Sequence, residues 1–108
     1  MEYNKLVRDR IPEIIAADGK KAITRILDDR EYLACLEKKL DEETAKYHES
    51  KELEELADIL EVVYALCKAG GHSVQELLSV YQNKHNECGG FSRKIYLIRK
   101  ESCSLSLK

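Results

Sequence analysis

Glu52-Leu-Glu-Glu-Leu-Ala-Asp-Ile-Leu-Glu-Val-Val-Tyr-Ala-Leu-Cys-Lys-Ala69 decides the fold. Beyond Asp58 the run Ile59, Leu60, Val62, Val63, Tyr64, Ala65, Leu66 and Cys67 is apolar nearly all round a helix. A helix of that kind is buried on several sides. Gly70-Gly71 ends it, glycine being the residue that tolerates the left-handed conformation of a helix C-terminus.

Upstream, Asp28-Asp29-Arg30-Glu31 has capping-box spacing, with Asp in place of Ser or Thr. It predicts a helix running to about His48. Leu33, Leu36, Leu40, Glu43 and Tyr47 follow the +3, +4 spacing of one helical stripe. Glu43 is the exception there, a carboxylate where a core residue is expected. Residues 49–52 form a polar link. Downstream, Ser73-Val74-Gln75-Glu76 is a second capping box, and the helix it opens carries Val74, Leu77, Leu78, Tyr81 and Cys88 up to Gly89-Gly90. A short helix from Pro12 to Ala17 stops at Gly19. Lys21–Leu27 and Phe91–Ile98 read as short strands.

The expectation is an all-α fold, a helical bundle with minor short β segments. With 108 residues the chain is long enough for one domain, residues 1–99, followed by a fraying tail at 100–108. The central helix needs more cover than two partners in a monomer give, so a second chain is expected to complete the bundle.

Composition removes several classes of function. Apolar residues make up 44% and charged residues 35%, which excludes a disordered chain. The net charge of −2 offers no basic footprint for nucleic acid. No apolar run approaches the ~20 residues that span a bilayer, so no membrane partner is expected. MEYNKLVRDR carries no apolar leader core. Cysteines 35, 67, 88 and 103 form no CxxC pair, which argues against zinc and for reduced thiols in a cytoplasmic protein.

The chemistry-bearing residues are acids on two adjacent helices. Glu42 and Glu43 stand on the first; Glu55 and Asp58, three apart, stand on the second. Two helices joined by a short link pack antiparallel, so the four acids can meet near one end of the hairpin. Asp is a poor helix-interior residue, and a carboxylate entering an apolar segment must be paired, protonated or bound to a cation. Clustered carboxylates are hard ligands suited to Mg²⁺ or Mn²⁺, and such ions commonly bridge acids to phosphate. A second reading stands beside this one. Lys38–Glu42, Lys39–Glu43 and Glu42–Lys46 are all i, i+4 pairs, and a solvated ion-paired face accounts for the acids of the first helix.

The ordered set resembles the all-α nucleoside triphosphate pyrophosphohydrolases, the MazG-like and phosphoribosyl-ATP pyrophosphohydrolase-like superfamily. Its EExxE motif aligns with Glu42-Glu43-Thr44-Ala45-Lys46 and its ExxD motif with Glu55-Leu56-Ala57-Asp58. A stand-alone subgroup is similar also through Tyr3-Asn4-Lys5-Leu6-Val7-Arg8-Asp9, Ile11-Pro12, Arg25-Ile26-Leu27 and Gly89-Gly90-Phe91. The resemblance covers about residues 3–97. It implies a helical oligomer, dimer or tetramer, that binds Mg²⁺, with Mn²⁺ as a substitute. It implies hydrolysis of the α–β phosphoanhydride of a nucleotide to a monophosphate and pyrophosphate, in clearance of non-standard nucleotides. Glu42, Glu43, Glu55 and Asp58 fall on the metal-binding, catalytic acids.

One position departs from the pattern. The third Glu of EExxE is Lys46 here, and an ammonium cannot ligate a metal. Lys46 either weakens the metal site or holds phosphate. This keeps open an alternative function, a non-catalytic nucleotide-binding or regulatory bundle with a decayed metal site. Phosphoribosyl-ATP hydrolysis and a purely structural oligomer are further rivals. Lys5, Arg8 and Lys84 are candidate phosphate contacts, each with an ordinary surface role as the other reading. Asn83 is a nucleotide contact by family position alone. Glu61 reads as a solvated or outer acid, and His48, His72 and His85 as surface residues.

Overall fold

The computed structural model describes residues 3–103. Its elements are four α-helices: α1 (Ile11–Ala17), α2 (Asp29–Ser50), α3 (Leu53–Ala69) and α4 (Val74–Cys88). The all-α class expected from sequence is the one observed. No helix among the described residues is long and apolar enough to cross a membrane.

Both capping boxes form. Asp28 accepts from the Glu31 backbone N–H at 2.8 Å, and the Asp28 N–H donates back to the Glu31 carboxylate at 3.3 Å. At α4, the Ser73 N–H donates to Glu76 at 2.7 Å and the Glu76 N–H donates to Ser73 Oγ at 3.1 Å. Each box satisfies two of the N–H groups that a helix start leaves without partners. α2 runs two residues past the expected end, to Ser50. It closes on Lys51, which takes the left-handed conformation (φ 58°) and donates its N–H to the Tyr47 carbonyl at 2.8 Å. α3 ends as read: Gly71 adopts φ 88°, and the next N–H, of His72, folds back to the Cys67 carbonyl.

The two expected strands are absent among the described residues: neither 21–27 nor 91–98 is β-structure. Alternating apolar side chains make a segment suitable for a sheet, but a strand exists only through hydrogen bonds to a neighbour. Ile23 and Ile26 lie open to solvent. Phe91 begins a turn closed by the Lys94 N–H on the Phe91 carbonyl at 3.0 Å, with Lys94 at φ 61°. The fraying expected of the tail falls, at 104–108, outside the described residues.

The chain divides into two compact units, Met1–Leu77 and Leu78–Lys108. In the first, α2 and α3 pack on each other. A link of two residues, Lys51 and Glu52, turns the chain back between them. Leu36 of α2 and Val62 of α3 are the buried apolar residues of this hairpin, and Glu43 is buried with them. The second unit holds the later part of α4 and the segment after it. There Cys88 to Ile95 curl around a concavity of about 340 Å³ that includes the Gly89-Gly90-Phe91 block. The four cysteines are free thiols.

Candidate functional site: acids and their counter-ions

The α2 stripe that begins with Leu33 carries Glu43 into the hairpin, as its spacing requires. Glu43 is 3% exposed, the one buried charge among the described residues. Across from it α3 presents Glu55 and Asp58 from one turn. One carboxylate oxygen from each of Glu43, Glu55 and Asp58 lies within 4.8 Å of the other two. Glu42 stands outside this group. Consecutive helical residues diverge by about 100°, so Glu42 cannot share the direction of Glu43.

Each acid already has a partner. Lys39 Nζ donates to Glu42 Oε1 at 3.1 Å and lies 3.6 Å from Glu43 Oε2. Lys46 Nζ is 3.4 Å from Glu43 Oε2 and 3.8 Å from Glu42 Oε1. Arg8, from the segment before α1, donates to Asp58 Oδ1 at 2.6 Å and approaches Glu61 Oε1 at 3.9 Å. Ser50 Oγ donates to Glu55 Oε2 at 3.2 Å. The electrostatics follow from these contacts. The Lys39 hydrogen bond holds the Glu42 carboxyl below its ordinary range, against partial desolvation and helped by the charges of Lys39, Lys46 and Lys5. Partial burial pulls Lys46 down, but the charge and hydrogen bond of Glu43, with Glu42 and Glu55 beyond, outweigh it and raise the ammonium above its ordinary value.

Beside the acids runs a shallow groove of about 160 Å³, lined by Asn4, Lys5, Cys35, Lys38, Lys39 and Glu42 among others. Glu42 and Lys39 therefore sit between the acid group and a basic groove. Lys5 belongs to the groove, with its ammonium 5.8 Å from the Tyr3 ring centroid. Sequence spacing singled out Lys5 but gave no reason to place Lys38 in a groove, because its neighbours there come from 33 residues upstream in the chain. Asn83 and Lys84 lie in the second unit, both exposed, on a helix that buries none of its residues. His48, His72 and His85 are exposed, as read.

The donor set can be tested against a metal. Three carboxylate oxygens are hard ligands. An octahedral Mg²⁺ ion sets its ligands about 3.0 Å apart when adjacent and about 4.2 Å apart when opposite, so the three acids, whose oxygens lie within 4.8 Å of one another, hold Mg²⁺ or Mn²⁺ once they draw in by up to roughly 1.8 Å. Lys39 and Lys46 compete with that ion for Glu43.

No family model matches the chain, and no solved structure gives a significant match. A stretch of 42 residues is 57% identical to an uncharacterized protein of Mycolicibacterium smegmatis, covering 39% of this chain. The matched stretch spans 43% of that protein, less than half its length.

Proposed function

We propose that the chain is a cytoplasmic, Mg²⁺-dependent nucleotide pyrophosphohydrolase of MazG-like type, working as a homo-oligomer on a nucleoside triphosphate-like substrate. One observation carries the reading: Glu43, Glu55 and Asp58, from two helices, bring carboxylate oxygens within 4.8 Å of one another beside a groove containing Lys5, Lys38 and Lys39. An acid group next to a basic groove suits a substrate whose phosphates need both a divalent cation and direct positive charge.

Glu43, Glu55 and Asp58 would hold the ion. When bound, Mg²⁺ supplies neutralisation of phosphate charge and a more acidic water. Lys5 and Lys38 bind phosphate oxygens from the groove side. Lys39 joins the two halves through its contacts with Glu42 and Glu43. Glu42, outside the three-acid group and held ionised by Lys39, would serve as the base toward the attacking water. Burial of Glu43 fixes its carboxylate and so the position of whatever it holds.

The second reading is a non-catalytic nucleotide-binding bundle. Lys46 favours it, because its contacts with Glu42 and Glu43 put a protein cation where the family pattern has a third acid. A panel of nucleotides assayed for pyrophosphate, with and without Mg²⁺ or Mn²⁺, separates the two. Metal-dependent release supports the enzyme. Nucleotide-dependent melting without release supports the binder. Neither effect overturns both.

A further inference from the structure

Of the three cations at the acid group, two share a helix with the acids they pair. Lys39 and Lys46 stand on α2 itself, three or four residues from Glu42 and Glu43. Arg8 differs. It comes from 50 residues away, on the non-helical segment ahead of α1. Its side chain is 55% exposed and that of its partner Asp58 37% exposed. An ion pair that open to water is weak and labile. Yet its acceptor is one of the three acids suited to a metal.

Charge gives this contact a consequence. The three acids Glu43, Glu55 and Asp58 face Lys39, Lys46 and Arg8, so the group as it stands offers a divalent cation no net negative charge. With Arg8 away the same group carries a net charge of −1, which favours a cation. We infer that Arg8 is a displaceable counter-ion of the acid group: the guanidinium and a divalent cation compete for Asp58, and the displaced guanidinium turns to hold phosphate oxygens. This rests on the metal-binding reading proposed above. It assigns Arg8 a positioning role, coupling metal entry to anion capture. A planar guanidinium suits both partners, because its fork matches carboxylate and phosphate alike.

The test measures Mg²⁺ binding by calorimetry for the native chain, Arg8→Gln and Arg8→Lys. Arg8→Gln should bind Mg²⁺ about fivefold more tightly, the scale set by an exposed ion pair, and Arg8→Lys should stay near the native value. With Mg²⁺ present, Arg8→Gln should bind inorganic pyrophosphate more weakly. In the native chain, Mg²⁺ should speed modification of Arg8 by phenylglyoxal, followed by mass spectrometry that resolves it from Arg10. This last readout decides the matter even if a variant fails to fold. Mg²⁺ binding that is equal in the native chain and Arg8→Gln, with no change in Arg8 reactivity, overturns the displacement and leaves the metal site standing. Absence of Mg²⁺ binding in every form overturns the metal site, and the displacement with it.

Discussion

Lys46 Nζ lies 3.4 Å from Oε2 of Glu43, the one buried carboxylate among the described residues. This sets the position that departs from the EExxE pattern against the acid that the hairpin buries. An ammonium there supplies part of the charge that a metal would otherwise bring. Lys46→Glu removes that competitor and adds a ligand, so Mg²⁺ should bind about tenfold more tightly, equivalent to ~1.4 kcal/mol. If Lys46 also holds phosphate, a non-hydrolysable nucleotide should bind more weakly to the same variant. Calorimetric titration of both reads the answer. No change in either would place Lys46 outside the site.

Glu43 itself tests whether the acid group exists for stability or for binding. It occupies a core position on the stripe of Leu36 and Leu40. Replacing a buried ion pair by an apolar side chain of similar volume is often neutral or stabilising by ~1–4 kcal/mol. Glu43→Leu leaves no buried unpaired charge, because Lys39 keeps Glu42 at 3.1 Å and Lys46 is half-exposed. The expected result is an unchanged or higher melting temperature together with loss of Mg²⁺ binding. A large fall in melting temperature would show that the Lys39–Glu43–Lys46 network holds the hairpin together.

Asp58 separates charge from shape. Asp58→Asn keeps the side-chain volume and an acceptor for Arg8. Mg²⁺-dependent pyrophosphate release should be abolished while the helical circular dichroism spectrum is retained. Turnover at the native rate would reduce the acids to a charged helical face.

The extent to which these arrangements were legible in the chain depends on how local their causes are. The starts of α2 and α4 were readable because a capping box is a contact across three residues, and Asp28–Glu31 and Ser73–Glu76 carry it whole. The burial of Glu43 followed from its place on a stripe, a property of a single helix. The exclusion of Glu42 was legible in principle, since neighbours on a helix diverge, but the family-like motif grouped it with Glu43. The Arg8–Asp58 pair was not legible: nothing in local spacing joins residues 50 apart. The strands expected at 21–27 and 91–98 failed for a related reason. Alternation is written in the segment, but the partner that makes a strand is not.

The entry to α2 gives a pH dependence. The Arg25 guanidinium donates to both carboxylate oxygens of Glu31, at 3.1 and 2.8 Å. With the Asp28 N–H also donating, the Glu31 pKa falls from 4.5 to about 2. A depressed folded-state pKa contributes stability that is present above the unfolded value and lost as pH falls through the folded one. The α2 start should therefore weaken from about pH 4.5 downward, with the loss complete near pH 2. Arg25→Ala should move this loss upward in pH. Thermal melts across that interval check it, and identical acid profiles for the two chains would remove Arg25 from the account.

Finally, α3 carries a second apolar face. Leu53, Leu56, Leu60, Val63 and Cys67 repeat at +3, +4, +3, +4, the spacing of a heptad seam. Leu53 is 80%, Leu56 45% and Leu60 48% exposed, whereas the α2-facing side of α3 buries Val62. Among the described residues, Leu36 and Val62 are the apolar side chains that the hairpin buries. A second copy laid along this seam would bury the three leucines and add to that apolar area. Sedimentation at low micromolar concentration should show at least a dimer. Leu60→Lys places a charge in the middle of the seam and should shift the distribution toward monomer while lowering the melting temperature, because hairpin and interface then lose support together. A stable native monomer at that concentration would leave the three exposed leucines without this role.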